Sequence, residues 1–186
     1  MRLLAGVTIA LLIVLPSHAA PAKWKARSAE SSITLRITYL GSPVEAKFGK
    51  WSAGIVFDVA DLGRSSADVR IETGSFDSQS EDRDEAVQEK DWFDIARFPQ
   101  AHFVTKAIRQ VSPGHYEADA SLTIRDVTRD VKLPFTLEIA GNIARMDGAV
   151  ALIRTDFGVG QGRWAKTNDV GSGVGVTIHL VADRVP

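Results

Sequence analysis

The stretch GQGRWAKT, which begins at Gly160, has most of the residues of a phosphate-binding loop. In the pattern G-x-x-x-x-G-K-[ST], a glycine-rich backbone and a lysine hold phosphate groups, and this chain departs from it at Ala165, where the second glycine belongs. A phosphate loop also joins a strand to a helix. The residues after GQGRWAKT read as a turn and then a strand. We therefore predict a loop at the end of a sheet, with Trp164 placed to cover an apolar opening.

Other residues that could do chemistry are sparse. His102, His115 and His179 have no spacing typical of a metal site, and such histidines usually lie on the surface or bond to a neighbour. The acidic run EDRDE, residues 81–85, offers two carboxylates for acid and base catalysis, but acids at the start of a helix usually form a solvated face. The sequence therefore predicts no catalytic residues, no metal and no required cofactor.

The first 20 residues have the three parts of a secretory signal peptide. Arg2 supplies the charge, residues 3–15 are apolar, and Ser17 and Ala19 fit cleavage after Ala19. The apolar run is shorter than the about 20 residues that cross a bilayer, and no second candidate follows. We expect residues 1–20 to be removed and the mature protein to be periplasmic, without a transmembrane segment. Because the chain has no cysteine, we expect neither a disulfide nor a lipid anchor.

Length and charge limit the class of protein. The chain has 186 residues with 22 basic and 23 acidic side chains, a formal net charge of -1, and the two signs are interspersed. Nucleic acids and anionic membrane surfaces need a concentrated basic patch, so we expect neither as the main partner. Residues 23–186 show no repeat and no linker, and we expect them to form one domain that folds on its own core.

Alternation of apolar and polar residues dominates the chain after the signal peptide. Examples are residues 33–39, 67–71, 116–124, 131–139 and 174–180, which are separated by turn sequences. The segment SEDRDEAVQEKDW, residues 80–92, lacks alternation and is rich in helix formers. The pattern predicts an all-β fold, a sandwich or a barrel, with one short helix over one end.

The interior of a barrel can be filled or hollow. Aromatic side chains occur in nearly every strand, whereas some inward positions are small, namely Ala118 and Ala120, with Ala149 and Ala151 as further candidates. Residues 144–154 are apolar on both alternations, so their inward face is not specified. From the pattern alone, a filled core and a hollow apolar interior that suits a long hydrocarbon are equal alternatives.

Several motifs together resemble the YceI-like family of secreted bacterial proteins. They are FGKWSAGIVFD (48–58), RDEAVQEKDWFD (83–94), ARFPQAHF (96–103), HYEADASLTIRDVTRDVKLPF (115–135) and RTDFGVGQGRW (154–164). Each motif is short, but their order and spacing are specific, and the resemblance extends from Trp24 to Val181. It implies a lipocalin-like antiparallel β-barrel of about eight strands, with an apolar cavity that binds a polyisoprenoid or an isoprenoid quinone.

The family's motif positions fall on aromatic and polar residues of this chain. They are Phe48, Trp51, Arg83, Asp84, Trp92, Phe93, Asp94, Phe98, Pro99, Arg154, Asp156, Phe157 and Gly158. Arg154 and Asp156 either contact the head of the lipid or pair with each other or with Asp84 to hold the barrel end. The family usually has glycine where this chain has Asp126, and aspartate tolerates the left-handed turn conformation that we expect there.

The resemblance implies that the protein sequesters or carries an isoprenoid lipid, with the helix or the loops near Phe93, Phe98 and Trp164 acting as a lid. The residues expected to contact the lipid are Phe48, Trp51, Phe57, Trp92, Phe93, Phe98, Phe103, Tyr116, Leu122, Phe135, Leu137, Phe157 and Trp164. Arg83, Asp84, Arg154 and Asp156 are expected at a polar mouth or in structural roles.

The ending GVGQGRWAKT resembles a branch of the family that also occurs fused to membrane b-type cytochromes, which favours a quinone as the lipid. A transient contact with a membrane or a b-type cytochrome, and a homodimer, are the further partners expected. Two alternatives remain. One is an enzyme or redox partner that acts on a bound quinone, with Arg154, Asp156 or His102 as proton relay. The other is a stress-response protein with a filled core and no ligand.

Overall fold

Eleven β-strands and one short α-helix make up most of residues 20–186, the residues that this computed structural model describes. The strands are β1 (Ala22–Ala26), β2 (Ser32–Tyr39), β3 (Ser42–Phe48), β4 (Trp51–Phe57), β5 (Ser66–Glu72), β6 (Phe76–Asp77), β7 (Gln100–Ser112), β8 (His115–Ile124), β9 (Val127–Ala140), β10 (Ile143–Ile153) and β11 (Val170–Arg184). The helix, α1, spans Glu81–Ala86. No helix in this range is long and apolar enough to cross a membrane. The predicted signal peptide, residues 1–20, lies outside the described residues except for Ala20.

The strands pair in antiparallel fashion and close into a barrel. Eight of them follow one another in the order β1, β4, β5, β7, β8, β9, β10, β11, and β1 returns to β11 with Trp24 opposite Arg184. Towards the end that carries α1, β11 pairs with β2 instead of β1, and β3 and β6 continue the wall from there. The predicted all-β, lipocalin-like antiparallel barrel with one short helix is confirmed.

Strand pairing decides which residues of β10 face the interior. Val150 lies opposite Val176 of β11, and both side chains face inward. Ala149 and Ala151 consequently point outward and are exposed. Their expected place among the small inward residues is therefore wrong, because a shift of one residue along a strand moves a side chain to the other face of the sheet.

The helix α1 is shorter than predicted. It ends at Ala86, whereas the prediction covered residues 80–92, and from Val87 the chain continues as successive turns. The turns bring Trp92 and Phe93 into the barrel, where they are 9% and 8% exposed. Burying an aromatic side chain contributes about 1.5–3 kcal/mol, more than the tenths of a kcal/mol by which helix propensities differ. Tertiary burial therefore ends the helix early.

Apolar clusters close the barrel at both ends. At the end away from α1, Trp24, Phe57 and Tyr116 pack together, and the rings of Phe57 and Tyr116 meet edge to face with centroids 5.5 Å apart. Trp24 also donates its indole N–H to the carbonyl of Phe57 at 3.3 Å. The cluster under α1 is larger and includes Phe76 and Phe157. The space between the clusters is where a ligand site can lie.

An ion pair joins β11 to the chain just after β1. The guanidinium of Arg27 donates from Nε to Oδ2 of Asp183 at 2.8 Å and from Nη2 to Oδ1 at 2.6 Å. These hydrogen bonds hold the pKa of the Asp183 carboxyl below its usual value. Because the contact is bidentate, it fixes the orientation of both groups where the barrel closes.

We predict that Asp183 titrates below the ordinary aspartate pKa of about 3.9 in an NMR titration of the side-chain carboxyls. Because its folded pKa is depressed, the pair stabilises the barrel above the unfolded pKa, and this stabilisation is lost as pH falls through the folded pKa. Arg27→Gln should move the Asp183 midpoint back towards the ordinary value. The control is Asp77, whose pKa is lowered first by the backbone N–H of Gln79 and should not change in this variant. An unchanged Asp183 midpoint contradicts the pair.

Candidate functional site

The barrel encloses a cavity of about 420 Å³. Its wall is almost entirely apolar, and all eleven strands contribute to it. Ala118 and Ala120 are buried, whereas inward residues of β11 such as Val174, Val176 and Leu180 stay half-exposed because no side chain of residues 20–186 fills the centre. The interior is therefore hollow. Its volume lies in the range of about 300–1,000 Å³ that is usual for sites of small ligands.

Five aromatic side chains cover the cavity at the end that carries α1. They are Phe48, Trp92, Phe93, Phe157 and Trp164, which we call the aromatic cap. The ring centroids of Phe48 and Phe93 are 6.0 Å apart, and those of Trp92 and Trp164 are 5.4 Å apart. These residues come from three separate segments of the chain. Contacts between segments that are distant in sequence therefore hold the cap in place.

A buried arginine, Arg154, connects these segments. It is 5% exposed, and its guanidinium lies 5.3 Å from the ring of Trp92. Its N–H groups make five hydrogen bonds of 2.7–3.3 Å, all to backbone carbonyls, namely those of Val159, Gly160, Trp164, Val170 and Gly171. Burial lowers the pKa of the guanidinium, and the carbonyls replace the hydrogen bonds to water that it has lost.

The expected pairing of Arg154 with a carboxylate is wrong. Asp156 is exposed, and the carboxylate of Asp84 accepts hydrogen bonds from the N–H and the hydroxyl of Ser78, at 2.9 and 2.6 Å. A guanidinium has five N–H donors, and in Arg154 all of them are bonded to carbonyls. Arg154 therefore holds the end of the barrel through carbonyls and not through a carboxylate, and it has no donor left for a ligand.

The loop that contains GQGRWAKT is shaped by close contact with this arginine. Gly160 has a φ of +81°, and a β-carbon there would overlap with Nη1 of Arg154, so the position requires glycine. The N–H groups of Gly160 and Gln161 both donate to the carbonyl of Asp91, at 2.8 and 2.6 Å. The stretch is a loop over the end of the barrel, with Trp164 in the cap, as predicted.

A second arginine, Arg125, was missed by the sequence reasoning. It donates to the carbonyls of Lys90, at 2.8 Å, and Trp92, and its Nη2 lies 3.7 Å from the carboxylate of Asp94. Arg125 thus ties the turn between β8 and β9 to the segment that follows α1. The left-handed residue of this turn is Arg125, with a φ of 58°, and not Asp126 as expected. The sequence did contain a signal for Arg125, because a two-residue turn of this kind favours glycine or asparagine and an arginine there is unusual.

The wall of the barrel is incomplete beside β3. Within the described residues, the edge of β3 that faces away from β2 is paired only at Lys47 and Phe48, with β6, so residues 42–46 have no strand partner there. At this end α1 covers the cavity, and its residues Asp82 and Ala86 both line the cavity and are exposed. No residue of α1 is fully buried. We call the unpaired edge of β3, residues 42–46, together with the cavity-lining residues of α1, the portal.

One charged side chain at the portal has a free donor. Arg83 lines the cavity and donates from Nε to the hydroxyl of Ser78 at 3.1 Å and from Nη2 to its carbonyl at 3.0 Å. Its Nη1 has no hydrogen-bond partner among residues 20–186. Asp84 holds the same Ser78, so the orientation of Arg83 is supported from two sides. This arrangement can present an N–H donor to the polar end of a ligand.

Of the three residues named as a proton relay in the enzyme alternative, Arg154 lines the cavity and Asp156 and His102 do not. His102 bonds through Nε2 to Asp68 at 2.8 Å, away from Arg154, and Asp156 is exposed. His179 bonds through Nδ1 to the carboxylate of Asp147, at 2.6 Å. In the described part of the chain, no group of three or more histidines and acids is placed to hold a metal ion.

Residues 24–182, which contain nearly the whole barrel, match the family described as the YceI-like domain. The chain belongs to the YceI-like family. A relative, the UPF0312 protein of Pseudomonas syringae pv. tomato, is 27% identical over 146 residues, which cover 74% of this chain and 76% of the relative.

Two solved structures share the YceI-like fold of this chain. BcnA of Burkholderia cenocepacia superposes with a TM-score of 0.81 at 33% identity, over 84% of this chain and 98% of BcnA. A polyisoprenoid binding domain from Saccharophagus degradans superposes with a TM-score of 0.69 at 10% identity, over 87% of this chain and 98% of that domain. The second likeness concerns the fold alone.

Most of the predicted lipid contacts surround the cavity of this YceI-like barrel. Those that line it are Phe48, Trp51, Phe57, Trp92, Phe93, Phe103, Leu122, Phe135, Leu137, Phe157 and Trp164. Phe98 and Tyr116 do not line it. The guanidinium of Arg97 lies 4.9 Å from the centre of the Phe98 ring, and Tyr116 lies in the cluster at the end away from α1. That the lining residues contact a lipid stays a prediction. Aliphatic wall residues such as Val69 and Val150 were missed, because an alternating aliphatic row looks the same in a filled core.

We predict that Gly160→Ala lowers the free energy of unfolding by about 2 kcal/mol or more, because the new β-carbon collides with Arg154 and the positive φ adds strain. Gly173→Ala is the matched control, since no atom lies within 4 Å of a β-carbon at that position. It should change the free energy by about 0.5 kcal/mol or less. Chemical denaturation of both variants measures the difference, and equal losses would refute the close contact.

Proposed function

We propose that this YceI-like protein binds an isoprenoid lipid inside the barrel and sequesters or carries it in the periplasm. The observation that carries the proposal is the apolar cavity of about 420 Å³, which runs from Trp24 and Phe57 to the aromatic cap. A wall with so few polar groups suits a hydrocarbon chain better than a polar metabolite. The shared fold of the polyisoprenoid binding domain from Saccharophagus degradans supports the same class of ligand.

Burial of the tail supplies the affinity. Each methylene group removed from water contributes about 0.8 kcal/mol. A tail of several isoprene units therefore offsets the about 4–15 kcal/mol that association costs in lost translation and rotation. Because the wall makes no directional bonds to such a tail, we expect selection by length and bulk along the barrel and selection of the head at the portal.

The portal is where we place the head of the lipid. Arg83 offers a free N–H donor there, whereas Arg154 offers none. The carbonyl oxygens of a quinone accept hydrogen bonds while its ring stays apolar, so a quinone satisfies both the arginine and the aromatic cap. Among isoprenoids we therefore favour a quinone.

We propose the periplasm as the compartment because residues 1–20 have the layout of a secretory signal peptide. A lipid in the periplasm needs an apolar container to cross water, and this is the role that we propose. Contact with a b-type cytochrome and a homodimer stay predictions from the sequence.

The direct test is lipid extraction and mass spectrometry of the protein purified from its native periplasm. We expect an isoprenoid in the extract, and uptake of added ubiquinone by protein stripped of lipid. An extract without isoprenoid, together with no uptake of added quinone, would contradict the proposal.

We predict that filling the cavity strongly lowers quinone uptake while the fold persists. Val176→Trp places an indole at an inward position of β11, and Thr177→Trp places the same side chain on the outer face of the same strand. The first should lower quinone uptake about tenfold or more, because the indole takes space that the tail needs. The second should leave uptake unchanged. Fluorescence titration measures both, and equal uptake would place the ligand elsewhere.

We predict that Arg83 contributes to binding of the head and not of the tail. Arg83→Gln should weaken ubiquinone binding about tenfold, the effect of losing a hydrogen bond from a charged donor. Binding of squalene, an isoprenoid without a head group, should not change. Equal weakening for both ligands would show that Arg83 only supports the shape of the portal.

A further inference from the structure

We propose that Leu40, at the tip of the hairpin formed by β2 and β3, inserts into a lipid bilayer and brings the portal to the membrane surface. The inference rests on the proposed function, since a carrier must take its lipid from a membrane. Leu40 is 63% exposed, although it is a large apolar residue. It is followed by Gly41, and the two residues form the entire loop between the strands.

The backbone at Leu40 is one that leucine disfavours. Leu40 and Gly41 have φ values of 49° and 78°, as in the two-residue hairpin turns that prefer asparagine followed by glycine. Leucine there costs stability relative to asparagine, and the exposed side chain gains little from the rest of the protein. A residue that is unfavourable for both the turn and the surface points to a contact outside the chain.

The position of Leu40 is fixed by its neighbours. Its N–H donates to the carbonyl of Asp169 at 2.7 Å, and Asp169 ends the loop that Arg154 holds through the carbonyl of Trp164. The backbone at Leu40 is therefore held in place, and this fixes the direction in which the leucine leaves the hairpin.

Leu40 also lies beside the portal. Tyr39 before it and Val44 after it both line the cavity, and residues 42–46 form the unpaired edge of the portal. When Leu40 inserts into a bilayer, the cavity-lining residues Tyr39 and Val44 therefore lie close to the membrane surface. The lipid tail can then pass between bilayer and barrel with little exposure to water.

The charges around Leu40 favour an orientation in which the loop with Arg163 and Lys166 lies nearer to a bilayer than α1 does. Arg163 and Lys166 are exposed in the loop that contacts Leu40, and Arg163 lies 4.2 Å from the ring of Trp164. Cations beside a tryptophan are usual where proteins meet lipid head groups. The acidic α1 carries the opposite charge, and in the loop itself Asp169 is exposed together with the two cations. We therefore expect Leu40, the cations of the loop and the β3 edge of the portal to face the membrane, and the exposed acids of α1 to face water.

A bilayer is a better occupant than a rigid protein partner. Leu40 is a single protruding apolar side chain, whereas a stable protein interface buries about 800 Å² on each partner. A soft apolar phase can accept one such side chain, and the weak binding that results allows the carrier to leave.

The test uses the whole protein and its Leu40→Asn variant, in sedimentation with vesicles of phosphatidylcholine that contain a fraction of phosphatidylglycerol. The variant removes the apolar group and restores the residue that the turn prefers, so its thermal stability should be equal or higher. We expect its partitioning to vesicles to fall about tenfold, the factor that corresponds to about 1.4 kcal/mol of lost burial.

The matched control is Val111→Asn. Val111 is 65% exposed, close to the value for Leu40, but it lies on β7 at the opposite end of the barrel. Its partitioning should equal that of the unchanged protein. Equal partitioning of all three proteins would overturn the proposal, and so would an equal loss in Val111→Asn.

A second measurement separates this inference from the proposed function. Ubiquinone is offered either in detergent micelles or in the same vesicles. We expect Leu40→Asn to take up quinone from micelles normally and from vesicles about tenfold more slowly. If the unchanged protein takes up no quinone from micelles, the proposed function fails, while the sedimentation result still decides the contact with the bilayer. Equal uptake from vesicles by both proteins would count against Leu40.

Discussion

The hydrogen bonds of the buried Arg154 guanidinium are the interaction on which the end of the barrel that carries α1 depends. A hollow barrel cannot hold its loops by packing them onto a solid core, so another source of order is needed. Arg154 supplies it by bonding five carbonyls of one loop and the start of β11. A lysine has three donors in a compact group and could not reach the same set. The guanidinium also requires glycine at position 160, because it occupies the space that a β-carbon would take.

Because no side chain of residues 20–186 fills the centre of the barrel, its stability depends on the wall. Backbone hydrogen bonds run around the whole ring, and the last contact of the ring, between β1 and β11, is reinforced by Arg27 and Asp183. On the outer face, Lys132 donates to Asp119 and lowers the pKa of the Asp119 carboxyl. With Arg109, these residues form a group of charges that connects β7, β8 and β9. Exposed pairs of this kind contribute little one by one. They do, however, keep the outer face polar while the inner face remains apolar.

Affinity and selectivity are separated in space. In the function that we propose, the wall would bury hydrocarbon without distinguishing one carbon from the next, whereas the portal carries Arg83 with a free donor. The helix beside it has no fully buried residue, so its displacement exposes little apolar surface. The proposed entry at the portal would therefore cost less than opening the aromatic cap, which Arg154 and Arg125 hold in place.

The sequence by itself determined the all-β class, the strands with clear alternation such as β2, β8, β9 and β11, the presence of a single helix, and the inward face of β9. A period of two and its interruption are local properties of the chain. It also pointed to most of the aromatic residues around the cavity. It could not decide the face of β10, because both of its alternations are apolar and only pairing with β11 selects one. The end of α1, the partners of Arg154 and Arg125, and the hollow interior were likewise decided by the tertiary structure. Each depends on residues far apart in the chain and on the volume that the closed ring encloses, and no local pattern contains that information.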